Sequence, residues 1–165
     1  MFDKIENLED LFELKLQGLY DAEKQLVKAL PKMAAAATDQ RLRMGIEKHL
    51  LETKNQVNRL EQIAKSLDLS LDGPGCKAME GLIEEGQLVM GMGGSDAITD
   101  AIIISAAQGV EHYEISQYGT ALHFAKQLGY TAEASLLQAS LTEEKNTDES
   151  LNQLAITSVD EKAMG

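Results

Sequence analysis

Residues 8–30 read LEDLFELKLQGLYDAEKQLVKAL. Leu8, Phe12, Leu16, Leu19, Glu23, Leu26, Val27 and Leu30 recur at spacings of three and four, which places them on one face of a helix. Seven of these eight side chains belong on a buried stripe, and Glu23, at its centre, does not. An ionised carboxylate in an apolar interior costs several kcal/mol unless it is paired, protonated or bound to a cation. The stretch therefore predicts a long amphipathic helix, roughly Leu8 to Ala35, that carries an acid into a helical core. Pro31 is expected to kink or shorten it.

Three further long segments repeat the pattern. The second runs from Asp39, a natural N-cap, to Leu67, with Leu42, Ile46, Leu50, Thr53, Val57, Leu60 and Ala64 on its stripe. Asp72-Gly73-Pro74-Gly75 ends it. The third runs from Asp96 to Leu128 with a broad apolar arc, and the fourth from Thr131 to Thr157 with Leu137, Leu141, Leu151 and Ala155 inward. Between the second and third lies a connection, Cys76 to Ser95, long enough to cross a bundle and to hold a short helix before Gly91-Met92-Gly93-Gly94. The reading is an all-α, ferritin-like four-helix bundle. It forms a single domain over 1–165, with 158–165 as a flexible tail. A shift of 91 residues pairs Glu23 with Glu114, Glu52 with Glu143, and Lys54-Asn55 with Lys145-Asn146, an internal repeat of two helix pairs.

Charge and composition narrow the function. With Lys and Arg at 15 against 27 Asp and Glu, the net charge of −12 argues against nucleic-acid binding and against an acidic membrane surface. The beginning, Met1-Phe2-Asp3-Lys4-Ile5-Glu6, has no apolar signal core, and the charge-free stretch Ala101 to Val110 is half a membrane span. A cytoplasmic protein is expected. The single cysteine, Cys76, allows neither an internal disulfide nor a thiolate cluster.

Acids on apolar faces are the informative feature. Glu144 is central on the fourth stripe, as Glu23 is on the first. Glu114 lies inside the third helix's arc, and Glu111 is one turn before it. His49 sits at the edge of the second stripe with Glu52 at i+3, though Glu52 is farther around the helix. Asp148, one turn after Glu144, is within reach of the same place. Several inward carboxylates without counter-charge repel one another, and one or two divalent cations resolve that. Tyr20, Tyr113 and Tyr118 are candidate hydrogen-bond donors to them. His112 and His123 fall off the apolar arc and read as surface residues.

The segments Tyr20-Asp21-Ala22-Glu23-Lys24-Gln25, His49-Leu50-Leu51-Glu52-Thr53-Lys54, Glu111-His112-Tyr113-Glu114-Ile115 and Leu141-Thr142-Glu143-Glu144-Lys145 resemble the YciE/YciF-type bacterial stress-response family. That family is ferritin-like, with rubrerythrin as a relative. The resemblance spans essentially the whole chain. It implies a di-metal centre, with iron expected and manganese as the alternative, and a role in stress. Matched position by position, Glu23, Glu52, Glu111 and Glu144 are the carboxylate ligands and His49 the imidazole. Glu114 matches a further carboxylate that relatives use variably. A homodimer is also implied. The sequence departs from the usual Glu-x-x-His on two helices: the second helix reads His49-x-x-Glu52, and Thr147 and Asp148 stand where the fourth helix's histidine is sought. The leading expectation is oxidase or peroxidase chemistry on iron with oxygen or peroxide. The alternatives are a structural or interaction protein with a vestigial or structural metal site, and iron storage.

Overall fold

Helix boundaries fall where side chains can satisfy the exposed backbone N–H groups. In the computed structural model, which describes residues 4–164, Asn7 accepts the Asp10 N–H and opens α1 (Leu8–Ala36). Asp39 accepts from Arg41 and Leu42 and opens α2 (Gln40–Leu67). Cys76 Sγ accepts from Met79 at the start of α3 (Lys77–Met90), and Ser95 from Ile98 at the start of α4 (Asp96–Gln127). Gly129, with φ of 80°, makes the left-handed turn into α5 (Thr131–Leu154). Met1–Asp3, part of the stretch read for a signal core, and Gly165 lie outside the described residues. No strand occurs among the described residues, and no helix there is long and apolar enough to cross a membrane.

α1 packs on α2 and α4 on α5, and contacts between α2 and α5 and between α1 and α4 close a four-helix bundle. The long connection carries α3, which lies mainly on α4. This is the ferritin-like architecture, with the crossover between the second and third long helices. Asp100 pins the short α1–α2 turn to α4: it accepts from the Thr38 N–H (2.7 Å), the Thr38 hydroxyl (2.6 Å) and the Asp39 N–H (2.8 Å).

Burial follows the 91-residue repeat. Phe12 and Ile103, Leu16 and Ala107, Leu19 and Val110, Ile46 and Leu137, and Leu60 and Leu151 are buried pair by pair. The core is not continuous, however. One apolar block contains Leu26, Leu30, Leu42, Ile46, Ile103 and Leu151. A second contains Phe12, Leu16, Leu60, Ile63, Leu137 and Leu141. Each long helix passes from one block to the other through buried polar residues: Glu23 on α1; His49, Thr53 and Gln56 on α2; Glu111 and Glu114 on α4; Glu144 and Thr147 on α5.

One expectation holds and one is corrected. α1 runs to Ala36, as the reading of Leu8 to Ala35 has it, and the exposed Pro31 inside it does not shorten it. The segment expected to be a tail from Ser158 is helical: α5 passes into a π-helical turn, Ala155–Val159, and then α6 (Asp160–Ala163). Ala155, Ser158 and Val159 are buried, and Arg41 donates to the Ser158 hydroxyl at 2.5 Å. The extra residue of a π turn rotates the following side chains, and here it returns Val159 to the first apolar block. Truncation after Leu154 should therefore cost about 2 kcal/mol from lost apolar burial. That is a fall of roughly 4–8 °C in the thermal midpoint for a domain of this size. An unchanged midpoint by circular dichroism would show that the segment contributes nothing.

Candidate metal centre

The polar layer is held by neighbouring turns of four helices. His49, Thr53 and Gln56 lie at i, i+4 and i+7 on α2, so all three face inward together. Glu111 and Glu114 share one face of α4 at i, i+3. One ligand atom from each of His49, Glu111, Glu114 and Glu144 lies within 4.8 Å of all the others, and all four residues are buried. His49 Nε2 is 3.2 Å from Glu111 Oε1 and 4.0 Å from Glu144 Oε2. On its other side, Nδ1 is 3.4 Å from the Thr147 hydroxyl. A proton held on Nδ1 and shared with Thr147 leaves the Nε2 lone pair facing the carboxylates.

Glu23 stands beside this group of four. Its Oε1 accepts from the buried Tyr118 hydroxyl. Gln56 donates to Glu144 Oε1 and, at 3.1 Å, to Glu143 Oε2. Many acceptors stay without a hydrogen-bond partner: Glu23 Oε2, Glu111 Oε2, both oxygens of Glu114, Glu144 Oε2 and His49 Nε2. Buried polar atoms are normally satisfied, so a cluster of such atoms, nearly all acceptors, fits a cation.

Electrostatics agree. Burial raises Glu23, Glu111 and Glu114 well above the ordinary carboxylate range, and repulsion among the acids adds to it. Glu144 is pushed up to about 7, chiefly by burial. Burial lowers His49 to about 4, helped by the nearby Lys48, so its imidazole is neutral and able to coordinate. Without a cation the layer keeps protons; a cation replaces them.

The sequence-named residues divide accordingly. His49, Glu111, Glu114 and Glu144 converge, with Glu23 adjacent. Glu52 is peripheral: Lys48 holds its Oε1 at 2.6 Å, and its Oε2 comes within 4.0 Å of His49 Nδ1. Asp148 pairs with His112 at 3.3 Å, outside the cluster. Glu143 is turned to Arg59, which grips it with both terminal nitrogens at 2.6 and 2.7 Å. Of the three tyrosines only Tyr118 reaches a carboxylate of the layer; Tyr20 donates to Glu61 and Tyr113 meets Cys76 at 3.0 Å. Gln56 and Arg59 were not singled out in the sequence. Gln56 could have been found, since it is one turn from both Thr53 and Leu60 on the stripe.

A profile of the family described as "Domain of unknown function (DUF892)" matches residues 7–164. The chain belongs to this family. Among its relatives, Protein YciF of Escherichia coli (strain K12) is 44% identical over 160 residues, covering 96% of each chain. The solved structure of that E. coli stress protein superposes with a TM-score of 0.90, covering 94% of this chain and 99% of the other. YcfI from Rhodopseudomonas palustris, provisionally described as a structural protein, gives 0.88 at 40% identity, covering 92% and 98%. A Xanthomonas campestris protein shares the fold at 0.72 and 20% identity over 96% of this chain and 99% of that one.

The buried acids fix the sign of a pH effect. Their folded-state pKa values are raised, so the folded, metal-free protein holds protons that the unfolded chain has released. Stability then falls as pH rises from the ordinary glutamate range through the folded values. His49, whose pKa is lowered, acts oppositely, but only between about 4 and its ordinary 6.5. From pH 6.5 to 8 the carboxylates act alone. Chemical denaturation of metal-stripped protein should show stability declining there, by on the order of 1 kcal/mol per pH unit for each carboxylate still protonated. A rise with pH over that window would mean the layer is not protonated.

Proposed function

We propose that this protein is a carboxylate–histidine metal protein, taking up to two divalent ions, iron first and manganese as the alternative, in a stress-associated role. The observation that carries it is the buried group His49, Glu111, Glu114 and Glu144, with ligand atoms within 4.8 Å and acceptors left unpartnered. Its relative from E. coli is a stress protein. The donor set is oxygen-rich with one imidazole, which suits hard or borderline divalent ions. His49, Glu111, Glu114 and Glu144 would hold the first ion, with Glu23 and, by inward movement, Glu52 completing the set. Bound iron would supply electrons to oxygen or peroxide, as an oxidase or peroxidase centre. The chain's own part is to keep the site dry between two apolar blocks. Thr147 orients the imidazole, and Tyr118 orients Glu23.

The second reading is a structural or interaction protein in which the metal only stabilises the bundle. One imidazole among the ligands and the provisional description of YcfI favour it. Peroxide consumption by the iron-loaded protein separates the two. The metal site itself is tested by iron or manganese content per chain after purification. His49→Ala, Glu114→Ala and Glu144→Ala should each lose most of the metal, on the order of tenfold or more in affinity. Glu143→Ala and His112→Ala should retain it. Retention by Glu144→Ala would leave the reading without its central ligand.

The expected homodimer is a separate part of the proposal. An apolar groove between α3 and α4, lined by Leu82, Gly86, Val89, Ile98, Ile102 and Ala106, lies away from the polar layer. Val89 and Ile98 are exposed there. A second copy packed on this face would cover them. Ile98→Asp should then shift sedimentation from dimer to monomer at micromolar concentration, with metal content unchanged. A wild-type monomer would dispose of the dimer.

A further inference from the structure

We propose that the two ends of the polar layer hold cations unequally. A tight position lies at His49, Glu111, Glu114 and Glu144, and a weak one at Glu23, where Arg59 already supplies a positive charge. The inference rests on the metal reading above and concerns which residues grade its two positions.

The internal repeat makes the comparison possible. A shift of 91 residues carries His49 onto Ser140, Glu52 onto Glu143, Thr53 onto Glu144 and Gln56 onto Thr147. His49, Thr53, Gln56, Ser140, Glu144 and Thr147 are all buried, so both ends of the layer use equivalent backbone positions. Their chemistry differs. Where one end has the imidazole of His49, the other has the Ser140 hydroxyl, 3.2 Å from Arg59 Nη1. Arg59 also takes both carboxylate oxygens of Glu143. The repeat places Ser150 opposite Arg59, so the His49 end has no guanidinium from that position. The cation near Glu52 is Lys48, whose side chain is 66% exposed against 21% for Arg59.

Hydrogen-bond donors follow the same division. At the Glu23 end the protein provides them: Tyr118 to Glu23 Oε1, Gln56 to Glu144 Oε1, Arg59 and Gln56 to Glu143. At the His49 end Glu111 Oε2, both Glu114 oxygens, Glu144 Oε2 and His49 Nε2 receive none. Acceptors already satisfied lose those bonds on binding a cation, and a nearby fixed positive charge repels it. What remains at that end is Glu23 Oε2 with the neutral, unpartnered Thr53 Oγ1 and Gln56 Oε1. That is a thin donor set for a second ion.

The test titrates metal-free full-length protein with Mn2+, read by equilibrium dialysis and electron paramagnetic resonance. The first equivalent should bind at least about tenfold tighter than the second, and give the spectrum of an isolated ion. Arg59→Met should tighten the second equivalent about tenfold and leave the first unchanged, which also shows that the variant is folded. Arg59→Lys, which keeps the charge, should leave the second weak. Two wild-type equivalents of equal affinity would overturn the proposal, as would an Arg59→Met titration identical to wild type. Absence of any bound Mn2+ would instead remove the metal reading beneath it.

Discussion

Several carboxylates lie buried at mid-height in this bundle, none of them paired with a lysine or arginine among the described residues, and the rest of the structure is arranged around that constraint. Glu23, Glu111, Glu114 and Glu144 are each almost wholly shielded from solvent. Like charges at such separations in a medium of low polarisability cannot all ionise. Either protons or a cation must be present, and the neutral His49 beside them favours coordination over ion pairing. The apolar blocks above and below supply the stability that this layer does not. The fold thus carries a costly feature between two conventional cores, an arrangement expected where function sets the residue choice.

The sequence disclosed the layer through its contradictions. Glu23 and Glu144 were legible because each interrupts an otherwise apolar stripe at its centre, and helical phase leaves them nowhere else to point. Glu111 and His49 were harder, lying toward stripe edges, where a small rotation of the helix decides burial. The four long helices and the crossover were legible from periodicity and from Gly and Pro. The least legible parts were polar residues acting together. Val57 was placed on the α2 stripe for its hydrophobicity, yet it is only half buried while Gln56 is fully enclosed. A pattern of apolar residues is blind to an amide that is buried because Glu144 needs its N–H. The π turn at Ala155–Val159 was also invisible. One inserted residue changes the phase, so the polar-looking terminus lost its periodic signal while keeping its contacts.

Phase and family likeness weighed differently on Glu52. Helical phase set it toward the rim; likeness set it among the ligands. In this structure it spans both places, one oxygen on Lys48 at the surface and the other unpartnered near His49. Its counterpart Glu143 is fixed by a two-pronged guanidinium instead. An ammonium on a flexible stem releases a carboxylate more readily than a planar fork does. The two halves therefore share a backbone plan but differ in how easily a rim acid can turn inward.

The division of the core into two apolar blocks also governs traffic. Along the long axis the layer is bounded on both sides by packed apolar side chains among the described residues. The α2–α5 seam is where Glu52 and Glu143 remain partly open to solvent. A recess there is bordered by Arg41, Gly45, Lys48 and Thr147, whose hydroxyl is 3.4 Å from His49 Nδ1. An ion held in the layer would leave through that seam only as the seam breathes, so its lifetime would be tied to helix separation and not to ligand strength alone.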